Sequence, residues 1–447
     1  MHTIPMRALP LWIAFLLLSL APPAVEAQAA DTRTTGPTAI HAGMLFDGTD
    51  GEMTRDVTIL VRDGRIEAVG TDVEVPGDAE RIDLSEWTVL PGLIDMHTHI
   101  TGDPDDLGAD RGAFLFRYPE QPTLVGVRNA EVTLMAGFTT VRDVGAPGTT
   151  ALALRDGIAN GLVQGPRMIT AISMGTTGSH CDRTTGIRPG TADADERRPY
   201  VFDGPQEAEA TVRRAVRDGA DMIKVCATAG VLSLTDDIGP AQMTFEELEA
   251  VVSTATMLNR RVAAHAHGLE GIQNAVRAGI TSIDHGSVLD DQVMQEMIER
   301  GTWLVPTMMA YEAVVEMAEE GFLPAGPSQK ALEIRPYVVE SHQRAFAAGV
   351  PVAFGTDAGV FEHGRNAEEF QLMVDAGLSP VEALLAATRN AAEALGMSEE
   401  LGTVEAGRWA DLVAVRGNPQ ADVSVLEDVG FVMKEGVVYK RDGRPVR

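Results

Sequence analysis

From Val89 onward, apolar runs of four to eight residues alternate with amphipathic stretches. The runs are Val89–Ile94, Thr139–Val144, Arg167–Ile172, Met222–Ala227, Val262–His267, Thr281–Asp284, Trp303–Pro306 and Val352–Gly355. Stretches with helical periodicity, such as Glu207–Asp218, Thr244–Asn259, Gly268–Ala278 and Asp290–Arg300, separate most of them. Strand–helix alternation predicts parallel βαβ units, and eight such units close a barrel. Residues 97 to 357 span 260 positions, close to the roughly 250 of a (β/α)8 barrel. The alternative is an open, doubly wound sheet. No G-x-G-x-x-G follows the first strand, which disfavours a dinucleotide-binding version of it.

Short strands flank the alternating region on both sides. Val57–Arg62 and Arg65–Val69 are joined by Asp63-Gly64, a hairpin signal. Strands also recur at Asp411–Val415 and Gly430–Tyr439, after a helical region at Pro380–Leu395. The expected fold is therefore an α/β (β/α)8 TIM barrel with a small β-sheet domain formed by the N- and C-terminal segments. The expected divisions are 1–29 for a signal peptide, 30–88 and 399–447 for the two parts of the β-domain, and 89–398 for the barrel. The signal reading rests on Arg7, the 13-residue apolar run Leu9–Ala21 and the small-residue sites around Ala27 and Ala29. Thirteen residues fall short of the roughly 18 that a spanning helix needs. The expectation is an exported, periplasmic or secreted protein starting between about Gln28 and Asp31, with no membrane span after cleavage.

Charge excludes some functions. The 447 residues carry 36 basic and 65 acidic side chains, a net charge of −29. So acidic a surface is unsuited to nucleic-acid phosphates or an anionic membrane. The 19 methionines are read as core filler. Two cysteines cannot make a disulfide scaffold or a four-thiolate zinc site. Cys181 and Cys226 are expected to be buried free thiols, with pairing in an oxidising compartment as the alternative.

The strand ends carry the chemistry. In a barrel the active site lies at the C-terminal ends of the strands. The first strand ends Asp95-Met96-His97-Thr98-His99, and period-2 alternation puts His97 and His99 on one face. The fifth ends His265-Ala266-His267, the sixth runs into Asp284-His285-Gly286, and the eighth ends Gly355-Thr356-Asp357. Five of the chain's ten histidines thus fall at three strand ends, a pattern that suits a site for divalent metal. His41 and His342 have no such position and are read as structural. Lys224 lies within the apolar strand Met222-Ile223-Lys224-Val225-Cys226. A buried ammonium is costly unless paired. Two readings follow: an ion pair with Asp357 or a glutamate, or a neutral amine able to add carbon dioxide and become a carbamate.

The segment Val89-Leu90-Pro91-Gly92-Leu93-Ile94-Asp95-Met96-His97-Thr98-His99 resembles the entry motif of the amidohydrolase superfamily. The resemblance continues through the Lys224 strand, Ala264–Gly268, Ile283–Gly286, Gly355–Gly359 and Leu401–Val413, and so covers essentially the whole chain after the signal. Within the superfamily the chain is similar to prolidase-like members, a group that includes Xaa-Pro dipeptidases, carboxypeptidases acting on small peptides and N-acyl amino acids, and ochratoxinases. Thr177–Asp182 and Phe361–Asn366 support that subgroup.

The resemblance implies two divalent ions, most simply zinc. His97, His99 and Asp357 would hold one, His265 and His285 the other, and a carbamate on Lys224 would bridge them together with a hydroxide. Asp357 would be the general base and then acid. His267 would contact substrate or stabilise an oxyanion. His180, His363, Arg365 and Tyr311 follow strands on the catalytic side and are candidates for substrate binding. The implied reaction is hydrolysis of the amide bond of small peptides or N-acyl amino acids, N-acyl-phenylalanine amides of the ochratoxin type included. Cyclic-amide hydrolysis or deamination is the alternative, and a non-catalytic binding barrel the remote one. A homo-oligomer acting on a small molecule or short peptide is expected.

Overall fold

The computed structural model describes residues 36–107, 117–182, 185, 199–234 and 236–446. The signal-peptide reading of 1–29 lies outside them. Residues Thr32–Arg447 form one compact unit.

The chain begins with strands β1 (Thr38–Phe46), β2 (Met53–Arg62), β3 (Arg65–Gly70) and β4 (Glu80–Pro91). Asp63 and Gly64 join β2 to β3 with φ of 51° and 79°. Two successive positive φ values make the tight hairpin that Asp-Gly favours. Next come β5 (Leu93–Thr98), β6 (Phe138–Asp143), β7 (Arg167–Thr176), the two-residue β8 (Val201–Phe202), β9 (Met222–Cys226), β10 (Val262–Ala266), β11 (Ser282–His285) and β12 (Trp303–Val305). Four C-terminal strands follow: β13 (Leu412–Val415), β14 (Val429–Lys434), β15 (Val437–Arg441) and β16 (Arg444–Pro445).

The N- and C-terminal strands form a single sheet in the order β16-β15-β14-β13-β4-β1-β2-β3. Its seam is the antiparallel pair β4–β13, with Leu90 opposite Val413. The terminal β-domain expected from sequence is therefore present. Ile40, Ile59, Ile82, Trp87, Leu412 and Phe431 belong to its core.

The second sheet runs β5-β6-β7-β9-β10-β11-β12, all parallel. Residues 352–358 close the ring through two parallel bridges, Leu304–Val352 on one edge and Thr98–Ala358 on the other. Backbone bonds from Met96 N to Phe354 O (2.8 Å) and from Ala353 N to Leu304 O (3.0 Å) complete the closure. The eighth stave is thus a bridging segment rather than a regular strand.

The apolar run Val89–Ile94, read from sequence as one strand, is divided between the two sheets. Val89–Pro91 pair with β13, and Leu93 onward pair with β6. Gly92 makes the crossing. A Cβ there would lie 2.1 Å from Thr139 Oγ1, so only glycine lets the crossing chain pass this close to β6.

Alternation along the barrel strands sorts their side chains. Ile223, Val225, Ala264, Ala266 and Ile283 belong to the large core cluster. Ala171, Met222 and Ala263 form a separate small cluster. Alongside these small side chains the barrel strands carry two buried cations, Arg142 on β6 and Lys224 on β9. Two of the described helices begin with a capping box. Thr244 and Glu247 form a reciprocal capping box before Phe245–Met257, and Ser379 and Glu382 do the same before Pro380–Leu385.

Cys181 and Cys226 are joined by a disulfide, with 5.6 Å between Cα atoms. This corrects the expectation of free thiols. Cys226 ends β9, and Cys181 lies in the loop after β7, its neighbour in the sheet. The two strands are consecutive staves of the barrel read from sequence, and their pairing brings the two cysteines together. The bond closes a 45-residue separation, and replacing both cysteines by serine is expected to cost about 2–5 kcal/mol. Urea unfolding of the double variant against wild type measures this; an unchanged midpoint would show the bond to be dispensable.

Candidate active site

The C-terminal ends of the strands bring together His97, His99, His265, His267, His285 and Asp357. Ligand atoms of His97, His99 and Asp357 lie within 4.8 Å of one another, and so do those of His265, His267 and His285. The two groups are adjacent, since the rings of His97 and His285 are 4.9 Å apart.

The first group is set by β5 and the closing segment. Asp357 N donates to His97 O at 2.7 Å, which ties the two segments together at the site. Asp357 has a φ of 63°, unusual for a residue with a side chain. Its Oδ1 lies 3.3 Å from His97 Nε2 and 3.2 Å from His99 Nε2. His99 Nδ1 donates to Gly145 O at 2.7 Å, which leaves the Nε2 lone pair facing that carboxylate oxygen. Asp357 Oδ1 is buried and makes no hydrogen bond of acceptable geometry. An imidazole lone pair facing a carboxylate oxygen, with another imidazole nitrogen beside it, fits a divalent cation.

The second group contains three imidazoles with ring centroids 4.6–4.8 Å apart. Burial pushes His265 and His285 well below the ordinary histidine range and His267 down to about 3. All three are neutral near pH 7, the form that can bind a metal. Neighbouring groups fix the rings. Thr307 Oγ1 donates to Pro306 O at 2.7 Å, so at 2.8 Å it accepts from His285 Nδ1–H, and the His285 Nε2 lone pair stays available. His342 Nε2 donates to His285 O at 2.6 Å. His285 and Thr307 also have positive φ, 76° and 51°. Three strained residues at one end of the barrel are what a functional site retains. His267 Nδ1 meets Ser287 Oγ at 2.6 Å and Tyr311 OH at 3.0 Å. The sequence reading set His267 apart from the ligands, whereas the structure places it in the same cluster.

Behind the histidines lies a buried ion network. Arg142 donates from Nη2 to Asp284 Oδ1 at 2.7 Å, from Nη1 to Ser282 Oγ at 2.8 Å, and from Nε to Met96 O. Asp284 Oδ2 contacts Lys224 Nζ and lies 3.2 Å from His97 Nδ1. The Lys224 partner is therefore Asp284, not the Asp357 or glutamate named in the ion-pair reading of the sequence. Burial pushes the Lys224 amine below its ordinary value, while Asp284 pulls it back up. Burial also opposes the Asp284 charge, but Arg142 and Lys224 keep the carboxylate well below the usual range.

Asp284 and Arg142 were missed as functional residues. The available signal was the one that singled out Lys224: a charged side chain inside an apolar strand requires a partner.

The remaining candidates separate. His180 stacks on His265 at 4.4 Å and bonds Ser233 Oγ at 2.7 Å. Gly230 makes room for it, since a Cβ there would lie 2.6 Å from His180 Cε1. Lys330 Nζ holds the same loop by donating to the carbonyls of Gly230, Ser233 and Asp236. Tyr311 joins the cluster through Ser287 and His267. His363 and Arg365 are not brought to it. Both nitrogens of His363 are engaged, Nε2 by His99 O and Nδ1 by Thr133 Oγ1, each at 3.2 Å. Arg365 pairs with Glu368 at 2.7 Å and lies 3.6 Å from Glu362, on the surface.

The model of the amidohydrolase family matches residues 88–439, most of the chain and every site residue just described. The chain belongs to the amidohydrolase family. Like the family, it is a metal-dependent hydrolase of amide bonds, with two candidate ligand clusters consistent with a binuclear site. This amidohydrolase is 33% identical to the ochratoxinase of Aspergillus niger over 435 residues, which cover 93% of this chain and 89% of the relative. It is 40% identical to a Xaa-Pro dipeptidase crystallised with methionine in its active site, with a TM-score of 0.86 over 91% of this chain and 100% of that one. A prolidase complexed with N-methylphosphonate-L-proline is 31% identical, with a TM-score of 0.83 and coverage of 91% and 100%. Among the described residues of this amidohydrolase no helix is long and apolar enough to cross a membrane.

Proposed function

We propose that this amidohydrolase cleaves the amide bond of short peptides or N-acyl amino acids, using two divalent ions, most simply zinc. The observation that carries the reading is the pair of adjacent ligand clusters, with the buried Lys224 one contact removed from His97 through Asp284. His97, His99 and Asp357 would hold one ion, and His265 and His285 the other. Lys224 would supply a bridging ligand as a carbamate, formed when its neutral amine adds carbon dioxide and releases a proton. Bound there, the ions supply Lewis acidity and bring the pKa of water toward neutrality.

The chain's own groups do the rest. Asp357 accepts the proton of the attacking water and returns it to the leaving nitrogen. His267, with a hydroxyl of Ser287 or Tyr311 donating to its Nδ1, presents Nε2–H to the carbonyl oxygen as charge develops there. His180 and the Gly230–Asp236 loop form a wall beside His265 that contacts the substrate. The substrate class is supported by the likeness to an ochratoxinase, a Xaa-Pro dipeptidase and a prolidase. Structural disulfides form and persist chiefly in oxidising compartments, so Cys181–Cys226 supports the export read from the N-terminal sequence.

Screening zinc-loaded protein against dipeptides, N-acyl amino acids, lactams, imidazolones and aminopurines tests the assignment. Turnover of acyclic amides is expected. Turnover confined to the cyclic amides or aminopurines would replace this reading with cyclic-amide hydrolysis or deamination.

A further inference from the structure

The helix Met308–Glu319 starts directly after β12, beside the histidine cluster. An N-cap residue ordinarily turns its side-chain oxygen back to an N–H of the first helical turn. Thr307 occupies the N-cap and makes no such bond. Its hydroxyl is committed elsewhere, donating to Pro306 O and accepting from His285 Nδ1. The open N–H groups are met by Glu369, some 60 residues further along the chain. Glu369 Oε1 accepts from Met308 N at 2.8 Å, and Oε2 from Met309 N at 2.6 Å. This carboxylate is fully buried. Burial pushes the Glu369 pKa well above the ordinary glutamate value, while the Met309 and Met308 N–H groups pull it back. Burying a carboxyl group is expensive, and spending both of its oxygens on one helix end is an arrangement that needs a reason beyond capping. A threonine in its usual capping role would do that work at a surface helix.

We infer that Glu369 is a positioning residue: by capping this helix in place of Thr307, it frees the Thr307 hydroxyl to fix His285 with its Nε2 lone pair toward the ligand cluster. The same helix start sets a second histidine. Tyr311 lies one turn beyond Thr307, and its hydroxyl meets His267 Nδ1 at 3.0 Å. The His267 and His285 rings lie parallel, 4.8 Å apart. One buried carboxylate therefore holds the element that orients two neighbouring imidazoles.

The inference rests on the binuclear reading above for its consequence, but not for its geometry, and two measurements separate them. The first is zinc affinity of the full-length protein by chelator competition. Glu369→Gln and Thr307→Val are each expected to weaken one of the two ions about 10–100-fold, the usual cost of losing the partner of a ligating histidine. The other ion should be unaffected. The double variant should be no weaker than the worse single one, because both act through His285. Thr307→Ser keeps the hydroxyl and should restore wild-type affinity. The second measurement is the His285 tautomer in metal-free protein by ¹⁵N NMR. Wild type and Thr307→Ser should hold the Nδ1–H form, and Glu369→Gln and Thr307→Val a mixture. Should Glu369→Gln fail to fold, the Thr307 pair decides. Wild-type affinity for both ions in the folded variants, additive losses, or an unchanged tautomer would overturn the inference. A wild-type protein that binds fewer than two ions but shows the expected tautomers would overturn the binuclear reading and leave the inference standing.

Discussion

Lys224→Ala is expected to abolish activity and lower metal content, and Lys224→Arg to be no better. Lys224 is buried and contacts Asp284, whose carboxylate lies 3.2 Å from His97 Nδ1. If the lysine serves only as a cation for Asp284, arginine preserves that charge and should be the mild change. If its amine must become a carbamate, arginine cannot substitute, because a guanidinium stays protonated at any working pH. The two accounts also differ in size. Loss of a bridging ligand should lower kcat by about three orders of magnitude or more, equivalent to about 4 kcal/mol of transition-state stabilisation. Added bicarbonate or short carboxylic acids should restore part of the Lys224→Ala activity by supplying the missing anion. Rates and metal content of the two variants, each with and without added carboxylate, are the measurements. An active, metal-replete Lys224→Arg enzyme would remove the carbamate from the account.

Arg142→Met is expected to destabilise the protein by about 3–5 kcal/mol, the cost of removing one partner from a buried ion network and leaving Asp284 with Lys224 alone. Arg142 is 1% exposed and Asp284 fully buried. The guanidinium binds Asp284, Ser282 and the Met96 carbonyl at once, linking β5, β6 and β11 across the barrel interior. Methionine fills similar volume but satisfies none of the three. Removing Asp284 as well, as Arg142→Met with Asp284→Leu, should recover none of the loss, because the buried Lys224 then loses the carboxylate it contacts. Urea denaturation of the two variants and wild type gives the comparison. A single variant as stable as wild type would show that the network is not what fills the barrel centre.

These interior groups also mark where sequence reading reaches its limit. The barrel was legible because period-2 strands and period-3.6 helices alternate for most of the chain, and the ligand clusters because five histidines fall at three strand ends. Both signals are local. The Arg142–Asp284 pair joins residues 142 apart in sequence, and no local period specifies which buried charges will meet. The run Val89–Ile94 shows the same limit, since an unbroken apolar stretch does not reveal that Gly92 passes it from one sheet to another. Loop residues were the least legible. His180 and Tyr311 reach the cluster, whereas His363 turns to the His99 backbone and Arg365 to surface glutamates, and loop direction carries no period at all. Glu369 was invisible for a related reason. Its function is to cap a helix that starts 61 residues earlier.

The central claim is that two ligand clusters act together as one binuclear site. Titrating zinc into chelator-treated protein while following amide hydrolysis and bound metal on the same samples tests it most directly. Activity should rise only as the second equivalent binds and level off near two ions per chain. Full activity at one equivalent, or in protein holding almost none, would contradict it.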